Sequence, residues 1–412
     1  MTDCCAPDGL ISLEQALESL ITTIKPVSEI EWVALDESLD RIIATDIISP
    51  VNVPSHDNSA MDGYALRLTD LNDTDRLPLG GKSFAGHPFT EQIPTGHCIR
   101  IMTGASIPED ADCVIMQEQT HTHDQTIQFI KKPARTGSNI RKAGEDITIG
   151  DKVFISGNKI KPQDIGLLAS LGVAEVPVYR RLKVAVFSTG DELKLPGEIL
   201  GQGDIYDSNR FVVKAMLTRL GANILDLGRI PDNMDQLRKA FIKADQKADA
   251  VITSGGVSVG DADYTKDILD ELGKTGFWKL AIKPGKPFAF GLLPNSYFFG
   301  LPGNPVSATV TFQQLAAPAL RHMMNQSPPS RTELSISSQV SLKKQPGRRD
   351  FQRGMLVKNE NLALEVTTTG SQGSGILRSM SMADCYMVIP EDKGNVEAGE
   401  KVCVQLFDEL LK

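Results

Sequence analysis

DAVITSGGVSVGDADYTKDIL (249–269), FWKLAIKPGKPFAFGLL (277–293) and SYFFGLPGNPVSATVTF (296–312) are the three strings around which the rest of the chain is organised. Each contains a short apolar or aromatic run: Ala250–Thr253, Pro287–Leu292 and Tyr297–Leu301. Each run is joined to a Gly-rich or Pro-rich turn, and helical periodicity follows the first and third. Parallel strands deliver loops to one edge of a sheet in this way, so all three runs are expected to be parallel strands.

The loops differ in chemistry. Ser254-Gly255-Gly256 can bring backbone N–H groups close to a ligand, because glycine has no Cβ in the way and tolerates positive φ. Asp261 and Asp263 follow within a few residues and place carboxylates able to hold a divalent cation beside that cradle. Lys279, Lys283 and Lys286 form a run of positive charge without an acid among them. In Leu301-Pro302-Gly303-Asn304-Pro305, Asn304 suits a helix N-cap and Pro305 the first helical position, and the free N–H groups beyond them make an anion seat. Each feature alone is commonest as plain structure: a turn, a solvated face, a cap. Their convergence on one strand–helix unit predicts a pocket for an oxyanion, a phosphate and a metal.

Outward from this stretch the alternation continues. Lys183–Ser188 reads as a strand, Ser208–Leu220 as a helix ended by Gly221, Asn223–Leu227 as a strand and Pro231–Asp245 as a helix. A mostly parallel sheet with helices on both faces follows. Thr189-Gly190-Asp191-Glu192, Tyr206-Asp207-Ser208-Asn209 and Pro231-Asp232 then lie at the same strand ends as the loops above.

At 412 residues the chain exceeds one core, and three or four domains are expected. Ser327-Pro328-Pro329-Ser330 is a break. Beyond it, five β-like runs from Leu334 to Phe407 predict a closing β-barrel, carrying the turns Phe351–Gly354 and Thr369–Gly375. Before residue 179, Ser12–Gln15 fits a capping box ahead of an amphipathic helix that Pro26 ends. Apolar residues between Asp40 and Pro50 also fall at helical spacing. Residues 66–138 show short β runs separated by Gly, Pro and Asp, a small β-domain inserted between the N-terminal helix region and residues 139–178. The expected division is 1–50 with 139–178, 51–138, 179–327 and 328–412. The loop Ser55–Tyr64, with Asp57 and Asp62, reads by itself as a linker.

The net charge of −9 argues against nucleic-acid binding. The acid excess is local: the first fifty residues hold ten Asp or Glu against Lys25 and Arg41, whereas Lys343–Arg353 holds five basic residues against Asp350. Six cysteines without a CxxC pair imply reduced thiols in a cytoplasm. No signal peptide or membrane span is legible. Gly81-Lys82-Ser83 ends like a P-loop, but Arg76 stands where the motif needs glycine, and His121-Thr122-His123 lacks a third metal ligand.

Eight strings in order, DNSAMDGYA (57–65), IRIMTGA (99–105), GEDI (144–147), STGDEL (188–193), SGGVSVGDADYTK (254–266), IKPGKPFAFG (282–291), LPGNPVSA (301–308) and FQRG (351–354), resemble the molybdopterin molybdenumtransferase family, to which the gephyrin E-domain is related. The resemblance spans nearly the whole chain. It implies a three-layer α/β molybdopterin-binding domain, an inserted small β-domain, an elongated N-terminal mixed domain and a C-terminal β-barrel. It implies insertion of molybdate into adenylylated molybdopterin with release of AMP, dependent on Mg²⁺, by a homodimer in which Asp62 and Thr103 reach the partner's site.

By matching positions, Lys283, Lys286, Ser307, Arg353 and Ser374 look like the molybdate set, with Pro302 and Pro305 shaping the helix entrance. Asp232, Asp263 and Glu192 resemble the carboxylates that hold magnesium and the pterin phosphate, and Asp146 and Lys279 match further family positions. Ser254, Gly255, Gly256, Asp191, Lys279 and Asn304 are the expected pterin and nucleotide contacts. The expected step is attack on the phosphoanhydride by molybdate or a magnesium-bound water, with the dithiolene sulfurs then taking molybdenum. Those sulfurs come from substrate, so no cysteine is needed at the site. Other cofactor-biosynthesis proteins and molybdoenzyme chaperones are the partners the resemblance implies. A pterin adenylyltransferase and a non-enzymatic scaffold or pterin carrier are the alternatives.

Overall fold

A computed structural model describes residues 9–133, 135–255, 264–327 and 332–412. The first helix, α1 (Leu13–Thr23), begins as the sequence demands: Gln15 N–H donates to Ser12 Oγ at 3.2 Å, and Ser12 N–H donates to Gln15 Oε1 at 3.0 Å. Its apolar face buries Leu13, Ala16 and Leu20 in the same core as the α/β layers, so α1 docks far along the chain.

The central domain is built from β1 (Lys183–Thr189), α2 (Asn209–Leu220), β2 (Asn223–Ile230), α3 (Met234–Lys247), β3 (Ala250–Ser254), α4 (Tyr264–Leu272), β4 (Lys274–Lys279), β5 (Pro287–Leu292), β6 (Tyr297–Leu301), α5 (Pro305–Thr311) and α6 (Ala317–Met323). One π-helical turn, Phe312–Ala316, joins α5 to α6. Sheet order is β2-β1-β3-β6-β5-β4. Alternate residues of each strand enter opposite cores, as a two-sided sheet requires. Val184, Val186, Ile252 and Phe299 face α1, α2, α5 and α6, whereas Ala185, Phe187, Val251 and Phe298 face α3 and α4. In the second layer Phe241 meets Phe187 and Phe298 edge-on, with centroids 5.1 and 5.6 Å away. Each such buried ring contributes roughly 1.5–3 kcal/mol by leaving water.

The strands β2, β1, β3 and β6 are mutually parallel, but β5 is antiparallel to both β6 and β4, which corrects the expectation for Pro287–Leu292. The links 280–286 and 293–296 are too short to carry a crossover helix, so the chain can only fold back as hairpins. Reversal has a useful result. Lys279 pairs with Pro287, and β5 therefore starts where the parallel strands end, which puts the lysine loop at the carboxyl edge of the sheet.

The stretch between Asp40 and Pro50 is not helical. Ile43 and Ile47 are buried with Phe154, Ile160, Leu168 and Val178, through short bridges and the pairing of Ile47–Ile48 with Lys152–Phe154. Adjacent β-branched isoleucines favour extended backbone, and their apparent helical spacing came from both sides of that ribbon touching apolar surface. Ile30–Ala34 likewise pairs with Glu175–Tyr179. The inserted region forms a six-stranded sheet from Gly63–Leu66, Arg76–Ser83, Cys98–Ile101, Cys113–Met116, Thr120–His123 and Thr126–Phe129. His121 and His123 lie on an exposed edge strand. Burial pushes the Cys98 and Cys113 thiols up to about 12, which fits packing roles.

Five C-terminal strands, Glu333–Ser338, Arg349–Lys358, Leu364–Thr368, Cys385–Ile389 and Lys401–Leu406, close into a barrel when the second pairs with both the third and the fourth. Ile282–Lys283 from the lysine loop adds to Arg349–Asp350 in parallel and stitches the barrel to the central domain. Among the described residues no helix is long and apolar enough to cross a membrane.

Candidate functional site

A cavity of about 290 Å³ opens at the carboxyl edge of the sheet, where Thr189, Ser254, Gly255 and Gly303 end or follow β1, β3 and β6. Gly255 holds φ +91°, and a Cβ there would stand 2.8 Å from the Thr189 carbonyl oxygen, so only glycine lets the two strand ends approach. Asn209, at the first turn of α2, spans the opening. Its amide donates to Ser254 Oγ and to the Gly303 carbonyl, both at 2.7 Å. Asp207 beside it is buried and accepts from Ser188 Oγ at 2.6 Å and Arg210 Nε at 2.9 Å. Arg210 in turn grips both oxygens of Asp226 at 2.8 and 2.7 Å. Neither Asp207 nor Asn209 belonged to the expected contact set. Their only signal in sequence is a polar Tyr-Asp-Ser-Asn string between a strand and an apolar helix.

Glu192 lines this cavity, and Asp191 accepts from the Asp232 backbone N–H at 3.2 Å. Partial burial first, then the charges of Asp191 and Glu192, push the Asp232 carboxyl above its usual range. Crowded carboxylates of this kind are hard oxygen donors whose repulsion a divalent cation would relieve, so their chemistry fits magnesium. Among the described residues they do not complete a metal-ligand cluster. Gly256, Asp261 and Asp263 lie outside the described residues.

A second cavity, about 850 Å³, lies between the lysine loop and the barrel, walled by Lys283, Lys286, Lys343, Lys344, Arg348 and Asp350 among others. Gly285 sits between the first two at φ +108°, and a Cβ there would meet Thr311 Oγ1 at 2.5 Å and the Ser307 carbonyl oxygen at 3.6 Å. The loop is thereby pressed onto α5. From the barrel side, the Ser374 carbonyl accepts from Val306 N–H at 3.0 Å. Arg353 is 1% exposed and holds that same loop, donating from Nε to Ser379 Oγ at 3.0 Å and from Nη2 to the Gly373 carbonyl at 3.1 Å.

Ser307 and Ser374 therefore lie at the start of α5, with Pro302 buried before it, Asn304 at its N-cap and Pro305 at its first turn, but neither they nor Arg353 line the cavity walled by Lys283 and Lys286. Asn304 makes no side-chain cap bond. Lys279 is exposed, and its carbonyl accepts from Ile11 N–H at 2.9 Å.

Three expected residues are elsewhere. Asp62 accepts from the Thr103 backbone N–H at 2.7 Å and from Thr103 Oγ1 at 2.8 Å, bonds that hold its carboxyl below the usual range. Asp62 is half-buried and Thr103 and Asp146 are exposed; all three sit on the N-terminal regions and line neither cavity. Asp57 is occupied by Lys142 and the Ala143 N–H at 2.6 and 2.8 Å.

A three-layer α/β domain with a cavity at its sheet edge, laced to a β-barrel and preceded by a domain with an insertion, defines a multidomain α/β-plus-barrel class of fold. Three family descriptions match in order: "MoeA N-terminal region (domain I and II)" over residues 11–172, "Probable molybdopterin binding domain" over 185–322 and "MoeA C-terminal region (domain IV)" over 336–407. A molybdopterin molybdenumtransferase from Haemophilus influenzae is 50% identical over 98% of this chain and 100% of its own length. Gephyrin from Dictyostelium discoideum is 31% identical over 96% of this chain and 62% of its own. The crystal structure of a molybdopterin biosynthesis MoeA protein from Pyrococcus horikoshii superposes with a TM-score of 0.80 at 33% identity, covering 97% of this chain and 99% of that one. The chain belongs to the molybdopterin molybdenumtransferase family, and is a transferase by that membership.

Proposed function

We propose that this chain transfers molybdenum from molybdate to adenylylated molybdopterin and releases AMP, with Mg²⁺ as its cofactor. The relatives' names support the molybdenum transfer; the AMP and magnesium parts rest on the resemblance, to which the acids Asp191, Glu192 and Asp232 lend support as oxygen donors. The observation that carries the reading is that the sheet-edge cavity and the lysine loop both border the first turns of one helix. Gly303 and Pro305 wall the sheet-edge cavity, while Gly285 of the lysine loop packs against Ser307 and Thr311. A phosphate on one side and a small oxyanion on the other would be held by elements packed on that one helix.

In this reading Ser254, Gly255 and Gly256 cradle the adenylylated pterin, with Asp191, Lys279 and Asn304 at the rim. Lys283, Lys286, Ser307 and Ser374 receive molybdate, a dianion that needs charge and oriented donors. Arg353 stiffens the Ser374 loop, and Pro302 and Pro305 fix the helix entrance. Asp232 and Glu192, with Asp263, would hold magnesium, which when bound supplies neutralising charge beside the leaving phosphate. A water oxygen attacks the adenylyl phosphorus, the phosphoanhydride P–O bond breaks and AMP departs from the pterin phosphate; where a molybdate oxygen attacks instead, water then cleaves the adenylyl-molybdate so formed into AMP and molybdate. The two dithiolene sulfurs bond molybdenum as two of its oxygens leave as water, their protons drawn from thiols and solvent. Asp62, Thr103 and Asp146 act in a second copy's site within a homodimer.

The test is turnover by the purified protein with adenylylated pterin, Mg²⁺ and molybdate, following AMP. AMP release that needs both molybdate and Mg²⁺ is expected, and Asp263→Asn should abolish it while pterin still binds. Consumption of ATP with unadenylylated pterin, independent of molybdate, would instead assign the adenylyltransferase reaction.

A further inference from the structure

The basin between the lysine loop and the barrel has five cations in its wall, Lys283, Lys286, Lys343, Lys344 and Arg348, against the single acid Asp350. They are not equivalent. Lys344 is buried, and its ammonium is spent on the Gln345, Glu391 and Lys393 carbonyls at 3.4, 3.2 and 2.5 Å. Lys286, Lys343 and Arg348 form no ion pair with a described residue. Lys283 stands between these cases: its side chain is 47% exposed, yet its Nζ lies 3.2 Å from Asp350 Oδ2.

Asp350 is an unusual residue for such a wall. Its side chain is 3% exposed, it also accepts from Gln352 Nε2 at 3.2 Å, and it comes from the barrel strand that also bears Arg353. The pairing of Lys283 with Asp350 in the parallel ladder brings the two side chains together across the domain seam. A buried carboxylate beside an anion basin lowers the basin's potential, and any anion reaching Lys283 must compete with it.

We propose that Asp350 is a positioning residue for oxyanion capture. It moors the Lys283 ammonium to the barrel wall and subtracts one charge from the basin, so that a tetrahedral dianion is bound loosely enough to be handed on. The inference rests on the basin being the oxyanion site of the proposed function. Its signature is opposite to that of a merely structural acid: neutralising Asp350 tightens anion binding while slowing turnover.

Calorimetry of the full chain with molybdate, and separately with sulfate, tests this without pterin. Asp350→Asn keeps an acceptor for Gln352, and should tighten both anions about fivefold at low ionic strength, with the gain shrinking as salt is added. In turnover its KM for molybdate should fall together with kcat, and Asp350→Glu should restore both. Unchanged or weaker binding by D350N overturns the proposal. Should D350N fail to fold, Lys283→Gln and Lys286→Gln decide the matter: the already compensated Lys283 should cost less sulfate affinity than Lys286, and the reverse order overturns the proposal. Lys286→Gln and Arg348→Gln separate the two layers of argument. If neither weakens anion binding, the basin is not the oxyanion site and the proposal falls with that reading. If they weaken it and D350N changes nothing, the mooring role alone is wrong.

Discussion

Single residues at the site are strained by one another's charge, and that strain is measurable. Asp232 has its carboxyl pushed up by partial burial and by Asp191 and Glu192. A raised carboxyl takes up its proton earlier in the folded chain than in the unfolded one, so the repulsion is absent at low pH and grows as pH rises through the folded value. Asp232→Asn should therefore raise the unfolding midpoint of the ligand-free protein at pH 7 by about 1 °C, the small effect expected of a largely solvated charge. The gain should vanish in acid, while AMP release is lost. Scanning calorimetry at both pH values reads the first effect and turnover the second. A destabilised variant at pH 7 would mean the three acids are not in conflict. Such conflicts are only half legible in sequence. The lysine run and the Thr-Gly-Asp-Glu loop announce charge, but Asp350 looks like a lone acid in a basic stretch. Its partner Lys283 is 67 positions away, and only the ladder between two domains brings them together.

At the scale of elements, short loops carry the design because they hold helices and strand ends in register. Asn209 ties the end of β3 to the start of the α5 turn with two hydrogen bonds. Asn209→Ala leaves the buried Ser254 hydroxyl without the Asn209 amide, a loss of roughly 1–3 kcal/mol where the bond is formed. The expected result is about a tenfold rise in KM for adenylylated pterin, with molybdate affinity in calorimetry unchanged. Equal loss of both would mean that the whole edge has collapsed. Gly285→Ala should act in the complementary way. Its methyl would collide with Thr311 Oγ1, and its positive φ is costly for alanine, so the lysine loop lifts from α5. Molybdate affinity should fall by roughly tenfold or more, with pterin binding retained, since a loop displaced by about an ångström loses aligned charge contacts. Alternating strand and helix signals made the parallel strands readable. The β5 hairpin escaped because an apolar run bounded by turns looks the same in either direction, and the extended Ile42–Ile48 ribbon escaped because its two sides meet different parts of the chain.

For the whole molecule the decisive fact is a separation. Glu192 of the central domain lines one cavity and Lys283 and Lys286 line the other, but Asp62 with Thr103, and Asp146, sit on the N-terminal regions and line neither. Their motifs were legible as strings; where they act was not, because no local rule links a polar loop to a pocket built from distant residues. If they complete the site of a second copy, then two dead variants can rescue each other. Asp62→Asn spoils what a chain lends, and Lys283→Ala spoils what it receives. A heterodimer of the two contains one site with both defects and one with neither. Equal mixing of freely exchanging chains makes half the dimers mixed, so about a quarter of wild-type turnover should return. Each variant alone should stay near zero, and sedimentation should show the same dimer throughout. No recovery after proven subunit exchange would place Asp62 and Lys283 in the service of the same chain, and the composite site would have to be abandoned.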